Sequence, residues 1–397
     1  MQVSHEARSL LEIMLDLDAS DIYLTIGSEP MYRVDGQVKP VGDHKLTEED
    51  TKRIAEGLMS EDEIKEFYDT HEQNLAVYDE SLGRFRINVM RQRGSVALVI
   101  RQIKAKIPSF EDLYLPTVLR EISLMKRGLV LMVGATGCGK STTLATMIDY
   151  RNNLETGHII TVEDPIEFVH NHKRSIITQR EIGIDTNDYH TALKNALRQA
   201  PDVVVIGEIR DLETMEAAIT FAETGHLCLA TIHSNNANQA MERIMNFFPP
   251  IRHKQIYLQL SLNLAAVVSQ RLIRRCDQEG RVPAVEIMLG SPRIKDLIYK
   301  GEIAELKSVM ETSTTLQMQS FDQSLLQLYR AGLVSLDEAL KNADSANNLR
   351  LKIKLAEDGA EIERREYDRE TDVLSIDEDR DVSDYNDSTS FTVKGQN

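Results

Sequence analysis

The chain has 397 residues, with 63 acidic against 46 basic side chains and a formal net charge of −17. That length exceeds what one hydrophobic core usually supports, so two globular units are expected, and a surface this acidic repels nucleic acid as a partner. Cys138, Cys228 and Cys276 are too few and too scattered for a disulfide framework, and a reducing compartment fits them.

A helix is expected from about His5 to Asp18, then strands at Ile22 to Ile26 and Met31 to Val34 with Asp35-Gly36 as a hairpin turn. Helix starts follow at Thr47 and Ser60, the second a capping box with Glu63. Strands near Asn74 to Tyr78, Arg84 to Met90 and Ser95 to Ile103 complete a mixed, mostly antiparallel α+β unit over residues 1–103. In Arg84 to Met90 the alternation sets Phe85, Ile87 and Val89 against Arg84, Arg86 and Asn88. A solvated sheet face is the ordinary reading of those arginines. The sharper one is that Arg86, with Arg84 or Arg101, reaches phosphate across a subunit or domain boundary. Residues 104–116 carry two prolines and little periodicity and read as an interdomain linker and hinge.

Leu129 to Val133 is a buried-strand run, and it leads into Gly134-Ala-Thr-Gly-Cys-Gly-Lys140-Ser141, a complete G-x-x-x-x-G-K-[ST] loop that opens a helical segment from Thr142 to Tyr150. Strand, loop and helix come in the order this chemistry needs. The glycines let the backbone aim several N–H groups at one anion, and the helix start adds its positive end. Gly134, Thr136, Gly137, Cys138, Gly139, Lys140, Ser141 and Thr142 are therefore the nucleotide-binding candidates. Lys140 would bridge the terminal phosphates of ATP, and Ser141 with Glu208 would hold Mg²⁺.

Hydrolysis requires carboxylates that converge on the loop. The strand Val203 to Ile206 delivers Glu208, with Gly207 where many such enzymes carry a metal-binding aspartate. The strand His158 to Val162 ends in Glu163-Asp164-Pro165, and Glu163 is the candidate for polarising the attacking water. The strand Leu227 to Thr231 is flanked by His226 and His233, candidates for polar contact with the γ-phosphate or a neighbouring acid, since no third ligand supports a zinc reading. The ATPase core is expected over residues 117–290 as a RecA-like parallel sheet.

Arg271-Leu-Ile-Arg274-Arg275 is short and interleaved with apolar residues, and reads as helix surface or an interface. The longest apolar run, Ile256 to Val268, is too short and too polar to span a membrane, and no targeting signal is evident, so a cytoplasmic location with any membrane association through another protein is expected. Helical periodicity dominates residues 291–355. Residues 357–397 hold 14 acidic and 5 basic side chains with few apolar anchors, so the tail over 356–397 is expected to be disordered and to serve solubility.

The phosphate loop, the acidic box Glu163-Asp164-Pro165-Ile166-Glu167, the Leu197 to Asp211 signature and the histidine box Thr224-Gly-His226 through His233 together resemble the secretion ATPase superfamily. Within it, Ser20-Asp21-Ile-Tyr-Leu, Arg33-Val-Asp-Gly36 and Gly83-Arg-Phe-Arg-Ile-Asn88 are similar to the N-terminal domain of the type IV pilus retraction ATPases, the PilT/PilU family. PilT-type motors carry Ala-Ile-Arg-Asn-Leu-Ile where this chain has Arg293-Ile-Lys295-Asp296-Leu-Ile298, and that departure, with the stretches Gln319 to Ser324 and Asn342 to Asn348, is closer to the PilU type. The resemblance implies a PAS-like N-terminal domain, a homohexameric ATP-driven motor for twitching motility, a PilT-type paralogue as partner and an inner-membrane pilus platform protein as the docking point. The reading from another class is a nucleotide-gated scaffold with negligible turnover. A nucleic-acid translocase on the same core is disfavoured by charge.

Overall fold

The computed structural model describes residues 4–34, 36–103 and 106–355. Asp35 of the expected turn, the first two residues of the expected linker and the acidic tail from 356 lie outside the described residues.

The first unit begins with α1 (His5–Asp16), whose start is capped by the Ser4 hydroxyl accepting from the Ala7 N–H. It continues through β1 (Asp21–Leu24), β2 (Met31–Val34), β3 (Gln37–Pro40), α2 (Glu48–Glu56), α3 (Glu61–Thr70), β4 (Glu72–Asp79), β5 (Gly83–Gln92) and β6 (Ser95–Ile103). The strands form one antiparallel sheet in the order β3-β2-β1-β6-β5-β4. Both α2 and α3 start on capping boxes, the first built by Thr47 and Asp50. An aspartate does there what the longer Glu63 does for Ser60. β3 was not expected because all four of its residues are exposed, so it carries no alternation to read.

The second unit comprises α4 (Val118–Ser123), β7 (Gly128–Val133), α5 (Lys140–Leu154), β8 (Gly157–Glu163), β9 (Ser175–Glu181), α6 (Tyr189–Ala196), β10 (Val203–Ile206), α7 (Leu212–Glu223), β11 (Leu227–Ile232), α8 (Ala237–Phe247), α9 (His253–Asn263), β12 (Leu264–Arg274) and β13 (Arg281–Leu289). Its sheet runs β13-β12-β7-β11-β10-β8-β9, parallel except for the antiparallel β12–β13 pair. Every residue of β7, β10 and β11 is buried, as apolar runs covered on both faces must be. One face packs on α4 and α5 and the other on α6 to α9.

Two departures follow from local chemistry. The apolar run Ile256 to Val268 divides, with α9 ending at Asn263 and β12 starting at Leu264, and the basic stretch Arg271 to Arg275 falls on β12 and its end rather than on a helix. The β-branched residues Val267, Val268 and Ile273 and the nine-residue ladder to β13 settle that choice. The described part of the expected linker is fastened to the second unit: Phe110 and Leu115 are buried beside α4 and α5, and the Thr146 hydroxyl donates to the Pro108 carbonyl at 2.9 Å.

α10 (Pro292–Lys300), α11 (Leu306–Thr312), α12 (Phe321–Arg330) and α13 (Leu336–Asn342) complete the chain, with residues 346–355 also helical. Phe321, Leu325, Ala339 and Leu349 pack on Ile273, Val282 and Ala284, so α12, α13 and the helix over 346–355 ride directly on β12 and β13. The two units meet at an ion pair, Arg84 on β5 to Glu181 on β9 at 2.9 Å.

Candidate nucleotide site

The sheet places its functional groups at the carboxyl ends of β7, β8, β10 and β11. The loop Gly134 to Gly139 leaves β7 and enters α5 at Lys140, whose ammonium donates to the Gly134 carbonyl at 2.8 Å and the Ala135 carbonyl at 3.0 Å. Glycine is required in that loop by close approach as well as by torsion. A Cβ on Gly139, at φ +92°, would stand 2.7 Å from the Gln270 amide nitrogen, and one on Gly134 would stand 2.4 Å from the Cys138 sulfur.

β10 ends one residue before Gly207, and three bonds hold the turn that follows. The Gly207 N–H donates to the Val162 carbonyl at 2.8 Å, the Ile209 N–H donates to the Thr231 carbonyl at 2.8 Å, and the Thr231 hydroxyl donates to the Gly207 carbonyl at 2.5 Å. Glu208 is thereby pinned between β8 and β11. A larger residue at 207 has no room, since its Cβ would lie 2.9 Å from the Tyr189 hydroxyl and 3.1 Å from the Glu163 Cα. That crowding explains the glycine where an aspartate is common.

The Glu208 carboxylate accepts from Arg210 Nε at 2.7 Å and lies 2.9 Å from His233 Nε2, and Arg210 also reaches Asp164 at 3.2 Å. Burial, followed by the nearby Lys140 charge, holds His233 below its ordinary pKa, which favours the neutral ring. The bond to Glu208 pushes Arg210 upward and keeps it charged. Glu163 accepts from the Thr161 hydroxyl at 2.7 Å and the Gln179 amide at 3.2 Å, and burial raises its pKa despite both bonds. A carboxylate with raised proton affinity beside an anion site is the kind of group that orders or deprotonates a water.

These groups line one cavity of about 510 Å³. Of the residues expected from sequence it gathers Thr136, Gly137, Gly139, Lys140, Ser141, Thr142, Glu163, Glu208 and His233. Gly134 and Cys138 line a smaller neighbouring cavity of about 220 Å³ behind the loop. His226 lies at the opposite end of β11, where its Nδ1 meets the Thr224 hydroxyl at 3.0 Å and its ring stands edge-on to Phe221, so it is apart from this cavity. Arg101 is committed to the buried Asp21 at 2.7 Å, and Arg86 pairs with it across β5 and β6; neither lines the cavity within this chain.

Several residues that line the cavity or support its lining were not expected. Gln179 and Thr161 orient Glu163, and Arg210 anchors Glu208, two residues from it in the chain. Glu167 accepts from the Ser141 hydroxyl at 3.0 Å. Arg281 lines both cavities from the start of β13. Arg210 was discoverable as the one cation beside Glu208. Gln179 and Arg281 sit on strands whose sequence gave no alternation to identify them.

Among the described residues no three His, Cys, Asp or Glu side chains converge as a preformed metal cage. The Ser141 hydroxyl, Glu167 and Glu208 nevertheless offer oxygen donors to one cavity, and Mg²⁺ takes few protein ligands beside phosphate oxygens and water. No described helix is long and apolar enough to cross a membrane.

A family model described as type II/IV secretion system protein matches residues 3–369. The chain is 51% identical over 350 residues to the type IV pilus ATPase PilU of Pseudomonas aeruginosa, covering 88% of this chain and 92% of that protein. It is 39% identical over 339 residues to the type IV pilus retraction ATPase PilT of the same organism, covering 85% of this chain and 98% of that one. The crystal structure of the pilus retraction motor PilT with bound ADP superposes with a TM-score of 0.79 at 42% identity, over 86% of this chain and 98% of that chain.

Proposed function

The chain belongs to the type II/IV secretion system proteins and, within them, to the PilT/PilU family of pilus ATPases, and from that premise we propose that it is a PilU-type motor subunit working beside a PilT-type partner. It is an ATPase. The observation that carries the mechanistic reading is that Glu163 and Glu208, from neighbouring strands, face the phosphate loop across one cavity.

In this reading the loop N–H groups and Lys140 take the triphosphate tail, and Lys140 leaves its two carbonyl partners for phosphate oxygens. Ser141, with Glu167 and Glu208, would hold Mg²⁺, which supplies charge neutralisation for the departing diphosphate. Glu163, oriented by Thr161 and Gln179, accepts a proton from the attacking water. Glu208, held by Arg210 and His233, orients the opposite side of the reacting phosphate. His233, 2.9 Å from Glu208, would turn its ring to a γ-phosphate oxygen, so that the pair distinguishes triphosphate from diphosphate. Only ligands with such differential contacts can shift a conformational equilibrium.

The larger assembly in this reading is a homohexamer of PAS-like N-terminal domains and RecA-like cores docked through a membrane platform protein, which the family resemblance supports, with Arg86, beside Arg84 or Arg101, reaching phosphate across a subunit or domain boundary. α10 favours the accessory role, because Asp296, in place of the asparagine of PilT-type motors, ties up Arg293 at 3.1 Å and Lys300 at 2.9 Å on the exposed face of that helix.

The test is phosphate release by the purified chain against Lys140→Ala, with and without a PilT-type ATPase. Turnover that disappears in Lys140→Ala and rises with the partner is expected. Release from wild type no greater than from Lys140→Ala under both conditions would leave only the nucleotide-gated scaffold.

A further inference from the structure

The phosphate loop touches one side chain that none of the preceding chemistry uses. Gln270 on β12 is 3% exposed, and both ends of its amide are engaged. Its Nε2 donates to the Cys138 carbonyl at 2.9 Å, and its Oε1 accepts from the Thr143 hydroxyl at 2.8 Å. The first bond grips the loop just before Gly139, and the second grips the first turn of α5. The same residue is what a Cβ on Gly139 or Gly134 would strike, through its amide nitrogen and its backbone carbonyl, each at 2.7 Å. Gln270 is thus fitted to the loop at three points and to the start of α5 at a fourth.

The next residue points to the other face of the sheet, as strand alternation requires. Arg271 lays its guanidinium 3.8 Å from the centre of the Phe321 ring on α12 and donates to the Asn342 carbonyl at the end of α13 at 2.7 Å. It pairs with Asp344 at 2.7 Å, and Asp344 also holds Lys307 at 2.9 Å. It further contacts the Asn235 carbonyl, two residues beyond His233, at 3.3 Å. Consecutive residues of one strand therefore hold the phosphate loop and the C-terminal helices.

We propose that Gln270 is a positioning residue that sets the phosphate loop for nucleotide, and that through Arg271 the same strand makes the C-terminal helices respond to what the loop holds. Both hydrogen bonds are buried, so a loop displaced by nucleotide must move Gln270 or break its bond to the Cys138 carbonyl, and a shift of the start of α5 must do the same through Thr143. β12 lies next to β7, the strand that feeds the loop, and the movement has a short path across the sheet. The proposal rests on the nucleotide reading of the cavity.

The test uses the full chain, with ADP as the binding probe and ATP as substrate. Gln270→Leu keeps volume and removes both bonds; Thr143→Val removes one, and Thr143→Ser restores it. Gln270→Leu is expected to raise the KM for ATP and the Kd for ADP about tenfold while kcat changes less than threefold, Thr143→Val to raise both constants severalfold, and Thr143→Ser to match wild type. The double variant Thr143→Val with Gln270→Leu should be no worse than Gln270→Leu alone, since the two share one bond. At saturating ADP, hydrogen exchange in α12 and α13 should change in wild type and not in Gln270→Leu. Should Gln270→Leu fail to fold, the Thr143 pair carries the test: equal constants for valine and serine refute the proposal. A KM within twofold of wild type in Gln270→Leu, independent effects in the double variant, or exchange in the C-terminal helices that ADP leaves unaltered in wild type would likewise overturn it. Lys140→Ala separates the two readings, because unimpaired ADP binding there removes the nucleotide site itself.

Discussion

Glu163→Gln distinguishes a catalytic carboxylate from a structural one because the two roles predict opposite effects on stability. Glu163 is held by Thr161 and Gln179, yet burial raises its pKa. A carboxyl raised above its unfolded value contributes stability below that unfolded pKa and loses it as pH rises through the folded one. Above the raised pKa the ionised group therefore costs about 1.4 kcal/mol for each unit of the rise. Glutamine keeps the outline and the acceptor facing Thr161 but carries no charge. We expect nucleotide binding within a factor of two of wild type, a fall in kcat of about 10²–10⁴, and a thermal midpoint unchanged or higher, by roughly 2 °C for each kcal/mol recovered. Phosphate release at saturating ATP and Mg²⁺, together with scanning calorimetry, reads both. The wild-type rate should also decline as pH falls into the raised range of Glu163, with that limb missing from the variant's residual activity. Hydrolysis within tenfold of wild type would refute the assignment, and so would lost activity accompanied by a midpoint several degrees lower.

Two further outcomes follow from buried charges. Arg84→Ala should cost about 1–3 kcal/mol in chemical denaturation by leaving the buried Glu181 carboxylate unpaired; because burial already raises Glu181, the loss should be full at neutral pH and fade as pH falls through its raised pKa, and Glu181→Gln on the same background should recover part of it. A loss that is the same at pH 5 and pH 8 would contradict this. His170, buried in the wall of the nucleotide cavity, is pushed down to about 4, so the folded state favours its neutral form. Stability present at neutral pH should be lost by roughly 3 kcal/mol as pH falls from about 6.5 to 4, and His170→Gln should remove that dependence. An unaltered pH profile for the variant would refute it.

The phosphate loop and the acids at strand ends were legible because each combines an apolar run with a polar residue that such a run cannot otherwise end on. Leu129 to Val133 and Val203 to Ile206 are buried throughout, and Lys140 and Glu208 emerge where those runs stop. The supports were not legible, because they come from elements with weak patterns: Gln179 from β9, whose residues alternate irregularly between buried and exposed, and Gln270 from a strand hidden within a basic stretch. Arg101 and His226 show the opposite limit: each is chemically suited to a phosphate, but within this chain Arg101 Nε donates to Asp21 and His226 Nδ1 meets the Thr224–Phe221 corner, and only the folded chain reveals those partners.

The parallel register explains why the two acids can act on one ligand. Ile206 pairs with Val162 on one side and with Ala230 on the other, and Ile232 pairs with Val133. Glu163, Glu208 and His233 thus leave the sheet at nearly the same level as the phosphate loop, on strands spaced about 4.8 Å apart. β11 lies between the loop's own strand and β10, so His233 stands between Lys140 and Glu208 rather than beyond them. That order places the histidine between a cation that lowers its pKa and a carboxylate 2.9 Å away that raises it. A phosphate drawing Lys140 away would relieve the first influence and leave the second. The strand order therefore sets the sequence Lys140, His233, Glu208 along one edge of the sheet.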